Sequence, residues 1–333
     1  MTRPVHVMVT IDTEEDDWGT YRTWGNSTEN IPLLSELVPL WERFGARPTY
    51  LVNYPPLASP ESTDVLRALN GEGSCEMGVH CHPWNTPPLG EKTGQPTSMM
   101  NELSEGENQA KLGVLKDLFE ELFHARPSAF RAGRWGFGPS VARPLHRLGF
   151  EVDLSVSPLL DWSSKGGPDY TFAPRQPYRF NPDHPFRSEA KGSMVGIPTS
   201  VGFLRGPSEP MTRVRAALEG SLLARLKVVG VLDALGLLAR RWISPETSSG
   251  GEMIRLASTL TRSGFRVLDL TFHSPSLLPG VAPFVRSQAD KERFVGRIER
   301  FLEFCAGRGY RFSTATEVAV EVRSGGIGLP VEA

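Results

Sequence analysis

The sequence is poor in residues that staple a fold or anchor it in a bilayer. Three cysteines in 333 residues, Cys75, Cys81 and Cys305, cannot build a disulfide framework and fit no zinc-ribbon spacing. No stretch reaches the ~18 uncharged apolar residues needed to span a membrane. The opening residues, Met1 to Asp12, hold no uninterrupted apolar run, so no secretory signal is expected and the expected location is cytoplasmic. Surplus charge is missing too. With 36 basic and 38 acidic side chains, the net charge of −2 excludes a global electrostatic footprint for nucleic acid.

What is present is alternation. Short β-branched runs recur at Val5–Ile11, Arg47–Val52, Cys75–Cys81, Ser128–Arg131, Phe150–Ser155, Met194–Pro198, Phe265–Phe272 and Tyr310–Ser313. Between them lie stretches with helical spacing: Ile31–Phe44, Thr63–Leu69, Gln109–Phe123, Val141–Leu148, Val214–Trp242, Glu252–Ser263 and Gln288–Ala306. The pattern predicts an α/β fold of seven or eight βα units, with a distorted (β/α) barrel as the simplest architecture and a doubly wound open sheet as the alternative. No linker marks a boundary, so residues 1–333 read as one domain. A long insertion, 158–242, follows the fifth strand. Its Pro-, Gly- and aromatic-rich part, with Trp162, Tyr170, Phe172, Tyr178, Phe180 and Phe186, is expected to wall the substrate site with an apolar surface. The helix behind it, with Leu222, Leu223, Leu226, Val229, Leu232 and Leu235, reads either as a core helix or as a surface compatible with lipid contact.

In a βα barrel the chemistry sits at the C-terminal strand ends. Strand one ends in Asp12-Thr13-Glu14-Glu15-Asp16-Asp17-Trp18 and strand three in His80-Cys81-His82-Pro83-Trp84. Strand four ends in Arg131-Ala132-Gly133-Arg134-Trp135-Gly136, strand five carries Asp153, and the late strand ends in Phe272-His273-Ser274-Pro275. Two imidazoles at i and i+2 on a strand point to one side. With a carboxylate from the neighbouring strand they suit a divalent metal with open positions, although a hydrogen-bonded polar pair is the plainer alternative. Asp12 and Glu14 both face the mouth, whereas Glu15, Asp16 and Asp17 also read as a solvated turn. Arg131, emerging from an apolar strand, needs a carboxylate partner. His273 reads as a general acid or as a satisfied core histidine. His6, His124, His146 and His184 have no such placement.

These stations, in this order, resemble the NodB-type polysaccharide deacetylases, carbohydrate esterase family four. Thr10-Ile11-Asp12-Thr13-Glu14 is similar to the family's first motif and Gly78-Val79-His80-Cys81-His82 to its second. Phe130 to Gly136 is similar to the third, Asp153 to Trp162 loosely to the fourth, and Leu270-Thr271-Phe272-His273 to the fifth. The chain departs from the family twice: Asp12-x-Glu14 replaces an Asp-Asp pair, and the second histidine of an i, i+4 pair falls at Trp84. The resemblance implies a metal-dependent hydrolase of C–N bonds that removes acetyl groups from an N-acetylated sugar or conjugate, whether glycoside, nucleotide-linked or lipid-linked. It implies Asp12 as base, His273 as acid, Arg131 as the holder of Asp12, and Asp153 as a further catalytic residue. One divalent ion, zinc first, is implied on Glu14, His80 and His82. Substrate contacts are expected from Trp84, Arg134, Trp135 and Trp162. The alternatives are an amidohydrolase, a hydrolase of a non-sugar amide or imide, and a carbohydrate-binding relative without activity.

Overall fold

The first strand, β1 (His6–Thr13), shows how the sheet comes to enclose a polar interior. Val7, Val9 and Ile11 enter the large apolar core beneath the helices, while Met8 enters a second apolar cluster on the opposite face. Side chains alternate along a strand, so Thr10 and Asp12 stand above Met8 on that inner face. The last long strand, β10 (Val267–His273), repeats the device. Its Leu268, Leu270 and Phe272 belong to the outer core, which leaves Val267, Asp269, Thr271 and His273 facing inward. The two strands pair in parallel, with Met8 opposite Asp269, Thr10 opposite Thr271 and Asp12 opposite His273.

In the computed structural model, which describes residues 3–89, 98–206, 208–219, 232 and 238–327, β1 pairs on its other side with β2 (Thr49–Val52). The parallel series continues through β3 (Glu76–Cys81), β4 (Ala129–Ala132) and β5 (Val152–Asp153). Beyond it stand β7 (Met194–Gly196), parallel, and β6 (Tyr178–Phe180), antiparallel at the edge. A short β11 (Arg311–Phe312) also pairs with β1. The order β10-β1-β2-β3-β4-β5-β7-β6 winds in one direction without the reversal of a doubly wound sheet, so the architecture is the distorted barrel.

The barrel is drawn together by a seam rather than a ladder. β8 (Val201–Phe203) and β9 (Arg240–Trp242) pair antiparallel, and the residues flanking them knit onto β10. Ser200 Oγ accepts the Asp269 N–H at 2.9 Å, and Ile243 O accepts the Thr271 N–H at 3.1 Å. At the other end, the helix Ala315–Arg323 lays Val318, Ala319 and Val322 against Met8, Leu51 and Val195. The interior is therefore apolar and plugged at the N-terminal strand ends, and polar and open at the C-terminal ends.

Two expectations for 158–242 change. Arg240–Trp242 is strand, not the end of a helix, because its backbone pairs with β8. A helix does span Ser208–Glu219, but of the six apolar residues named in the leucine-rich stretch only Leu232 is described, and Leu222, Leu223, Leu226, Val229 and Leu235 lie outside the described residues. The aromatic stretch is mostly structural: Tyr170, Tyr178 and Phe180 are fully buried in the core, and Phe186 packs on Tyr170. Among the described residues no helix is long and apolar enough to cross a membrane.

Candidate active site and metal centre

The C-terminal strand ends surround a cleft of about 470 Å³. Asp12, Glu14, His80, His82, His273, Trp84, Arg134, Trp135 and Trp162, all singled out from the sequence, line it. Arg131 lies directly below, fully buried. Asp153 does not line the cleft, which corrects its placement among the reacting residues. Its carboxyl is turned into the barrel wall, where it accepts from Ser155 Oγ at 2.6 Å and Ser155 N at 3.2 Å, and Ser155 Oγ in turn accepts the Ala132 N–H. Burial pushes the Asp153 carboxyl up to about 7, against those hydrogen bonds and Arg131.

A guanidinium presents five N–H donors, and those of Arg131 all find acceptors. Nε donates to Leu154 O at 3.0 Å, and Nη1 donates to Asp12 Oδ1 at 2.6 Å and Thr271 Oγ1 at 3.0 Å. Nη2 reaches Thr10 Oγ1 at 2.8 Å and Asp269 Oδ2 at 3.4 Å, and Thr10 passes its own proton to Asp269 Oδ1. The alternating β1 and β10 sequences supply four of the five acceptors, so the network is written into the strand pattern. Burial alone would raise the Asp12 carboxyl. Arg131, with His80 and His273, outweighs burial and holds it below the ordinary range. Asp269, with the weaker contact, is pushed by burial up to about 6.

Glu14, His80 and His82 form a cluster whose ligand atoms all lie within 4.8 Å of one another. His80 Nδ1 faces Arg131 O at 2.9 Å and His82 Nδ1 faces Glu15 Oε1 at 3.0 Å. Both partners are acceptors; Asn53 Nδ2 also lies 3.2 Å from His82 Nδ1 but donates to Glu15 Oε2, so with hydrogen on both Nδ1 atoms the neutral rings present bare lone pairs at both Nε2 atoms. These lone pairs are 2.9 Å apart, with Glu14 Oε2 at 3.3 and 3.2 Å from them. Three acceptors aimed at one point call for a cation. Without a metal a proton answers that call: burial pushes the His82 imidazolium down, but Glu15 and Glu14 push it up to about 10. Glu15, read from the sequence as part of a solvated turn, is buried instead, and Asn53 donates to it. Asp16 and Asp17 order the following loop through Ser27, Asn30 and Asn26.

Two neighbours fix His82 in place. Trp84, standing where the family has its second histidine, stacks on the His82 ring at 4.1 Å between centroids and 21° between planes. Gly133 passes under the same ring, where a Cβ would strike His82 Cδ2 and lie 2.6 Å from Cys81 O. The next two residues, Arg134 and Trp135, hold φ of 54° and 62°. That left-handed pair reverses the chain, and it ends with Trp135 beneath Arg131 and Trp242, and Arg134 over Tyr21.

His273 is 23 % exposed in the cleft, its Nε2 3.5 Å from Asp12 Oδ2. Its Nδ1 lies 2.9 Å from Glu246 Oε2, and Glu246 also accepts from the His273 N–H and from Ser276. Burial works against the His273 imidazolium, but Glu246, then Glu14 and Asp12, push it up to about 10. Glu246 escapes the sequence reading because the seam that carries it looks like the gap between two helices; Ser244-Pro245 just before it is the one sign of a strand exit. Trp18, Tyr21, Trp242 and Phe284 also line the cleft unannounced.

No protein-family model matches the sequence, and no curated protein matches it. Solved structures do. A protein assigned as a polysaccharide deacetylase from Mycobacterium smegmatis is 14% identical, with a TM-score of 0.57 over 100% of this chain and 95% of that one. A family 4 acetyl xylan esterase from Clostridium thermocellum, in complex with a cobalt ion, is 10% identical over 95% and 90% of the two chains, with a TM-score of 0.46. A family 4 pseudoenzyme from Bacillus anthracis is 11% identical over 96% and 66%, with a TM-score of 0.43. The mycobacterial likeness shows the fold: this chain shares the distorted barrel of that protein.

Proposed function

We propose that the cleft hydrolyses the amide of an N-acetylated sugar or sugar conjugate, using one divalent ion, zinc first, held by Glu14, His80 and His82. The observation that carries this reading is the meeting of two imidazole lone pairs and a carboxylate oxygen beside an ionised Asp12. Nitrogen and oxygen donors of this kind suit zinc, and three protein ligands leave room for substrate. When bound, such an ion supplies Lewis acidity toward an acetamide carbonyl and a water. The chain's own residues supply the proton transfers. Arg131 holds Asp12 by Oδ1, so Oδ2 faces the cleft as the base that accepts a proton from the attacking water. His273, kept protonated by Glu246, gives its Nε2 proton to the departing amine. Water and amide thus leave as acetate and free amine. Base and acid stand 3.5 Å apart at the lip, so both protons move at one side of the substrate. Residues 1–333 are read as one deacetylase-like domain with 158–242 inserted in it.

The test is acetate release from N-acetyl sugars by zinc-loaded protein, beside Asp12→Asn. The variant keeps the shape and removes the base, so turnover should fall by ~10²–10⁴. Full turnover in exhaustively demetallated protein would overturn the metal reading. Release from cyclic amides instead of sugars would move the protein to non-sugar C–N hydrolysis.

A further inference from the structure

Five of the seven tryptophans in the chain, Trp18, Trp84, Trp135, Trp162 and Trp242, line one cleft of about 470 Å³. They arrive on four different strand-end loops and on β9, so no single helix or strand face explains their convergence. Trp18 meets the edge of His273 at 4.9 Å, and Trp84 covers His82, so aromatic surface begins at the reacting atoms and runs outward. Part of this surface is core: Trp84 and Trp135 are mostly buried. Trp18, Trp162 and Trp242 keep exposed faces.

Uncommitted hydroxyls are few beside this area among the described residues. Of the lining hydroxyls, Thr271 is taken by Arg131, and Ser244 is buried and accepts from the Glu246 N–H, leaving Tyr21 and Thr247. A second or third sugar ring would bring three or more hydroxyls each and strip them of water with few partners, a costly exchange. Positive charge is not in surplus either. The lining acids are matched within the protein: Asp12 by Arg131, Glu14 and Glu15 by the histidine pair, Glu246 by His273, and Asp17 by Arg22. The two lining cations among the described residues, Arg134 and Lys165, lie over the rings of Tyr21 and Trp162 at 5.3 Å each. A pyrophosphate is recognised by clustered cations or a backbone cradle, and among the described residues the cleft wall offers neither.

We infer that the cleft selects a single N-acetyl sugar ring carried on a neutral, flat, apolar group, over a polymer and over a sugar nucleotide. The inference rests on the deacetylase reading for the reaction but not for recognition. The reacting amide sits over Glu14 and the histidines, and the apolar group lies against the exposed faces of Trp162 and Trp242.

The experiment follows binding and turnover separately on the zinc-loaded full chain. Four probes are titrated against intrinsic tryptophan fluorescence, and acetate is measured in parallel: phenyl N-acetylglucosaminide, free N-acetylglucosamine, its β-1,4 trimer and its uridine diphosphate conjugate. The phenyl glycoside should bind tightest, by roughly ten-fold or more over the free sugar, the worth of one good aromatic contact. Trp162→Ala and Trp242→Ala should each narrow that gap. Equal affinity for the phenyl and free sugars overturns the inference, as does tighter binding of trimer or nucleotide sugar, or no quenching by any probe. Tight phenyl glycoside binding without acetate release upholds the recognition and removes the deacetylase reading, so the two failures are told apart.

Discussion

Two polar clusters lie side by side in the barrel mouth, and they are built on opposite principles. Around Arg131 every donor has an acceptor, and four of the five acceptors come from two strands, β1 and β10, whose alternation puts them there. Around His80, His82 and Glu14 three acceptors face one another with no donor of their own beyond a single proton. The first cluster is complete as the chain folds. The second is complete only with something added. A buried network that closes on itself fixes a shape; one that leaves a common vertex open is a binding site. The contrast sets a closed network that fixes the Asp12 carboxylate beside an open one that offers three ligand atoms to a cation.

The comparison breaks most completely at Arg131. Arg131→Met leaves Asp12 and Asp269 buried without their counter-charge, and about 3–5 kcal/mol of stability should be lost, read as a lower urea midpoint. An unchanged midpoint would mean that the closed network carries no stability. The open cluster should behave in the opposite sense. Zinc at a hundred-fold over its Kd should stabilise the protein by about 2.7 kcal/mol in thermal melts. His80→Ala should erase that response. A melt indifferent to zinc would leave the cluster a proton-bridged pair.

Smaller changes sharpen the contrast. Glu15→Gln removes the charge that orients His82 without touching a ligand atom. Metal affinity should fall roughly 10–100-fold in a chelator competition, the usual cost of losing an outer partner. An affinity equal to wild type would make Glu15 a packing residue only. Smallest is the change at Glu246. His273 is raised from its ordinary 6.5 to about 10, so the stability its charge contributes is complete below the ordinary value and is lost as pH rises toward 10. An acid with that pKa stays loaded through neutral pH. Glu246→Gln takes away the largest of the influences that raise it, and the alkaline limb of kcat/KM should move to lower pH. A limb that stays put would deny His273 the role of acid.

The strands around the mouth were legible because their two faces differ in chemistry. In Val267-Leu-Asp-Leu-Thr-Phe-His273 the outward leucines and phenylalanine announce a buried strand, and the inward Asp, Thr and His announce a site. Asp12, Glu14, His80, His82, Arg131 and His273 could all be placed at the mouth on that ground. Glu246 could not, because β9 is three residues long beside a leucine-rich stretch whose sequence has helical spacing, and three residues carry no period. Asp153 misled for the reverse reason: its strand is two residues long, so its inward or outward sense rests on Ser155 rather than on alternation. Glu15 was hidden by its acidic neighbours, since a run of like charges looks solvated until one member is seen to have a buried partner. The seven tryptophans were visible one by one, but nothing local reveals that five share a cleft.

Gly133 turns the loop after β4 into a gauge block. A Cβ there would strike His82 Cδ2 and stand 2.6 Å from Cys81 O, so only bare backbone fits beside the ring on which Trp84 stacks. The ring of His82 is thereby confined by a stacked indole and by a backbone that leaves no room for a side chain. Adding one methyl at 133 would widen the gap and tilt the ring without altering any donor atom. The placement of one candidate metal ligand therefore depends on a residue that contributes no chemistry and whose only property is to be thin.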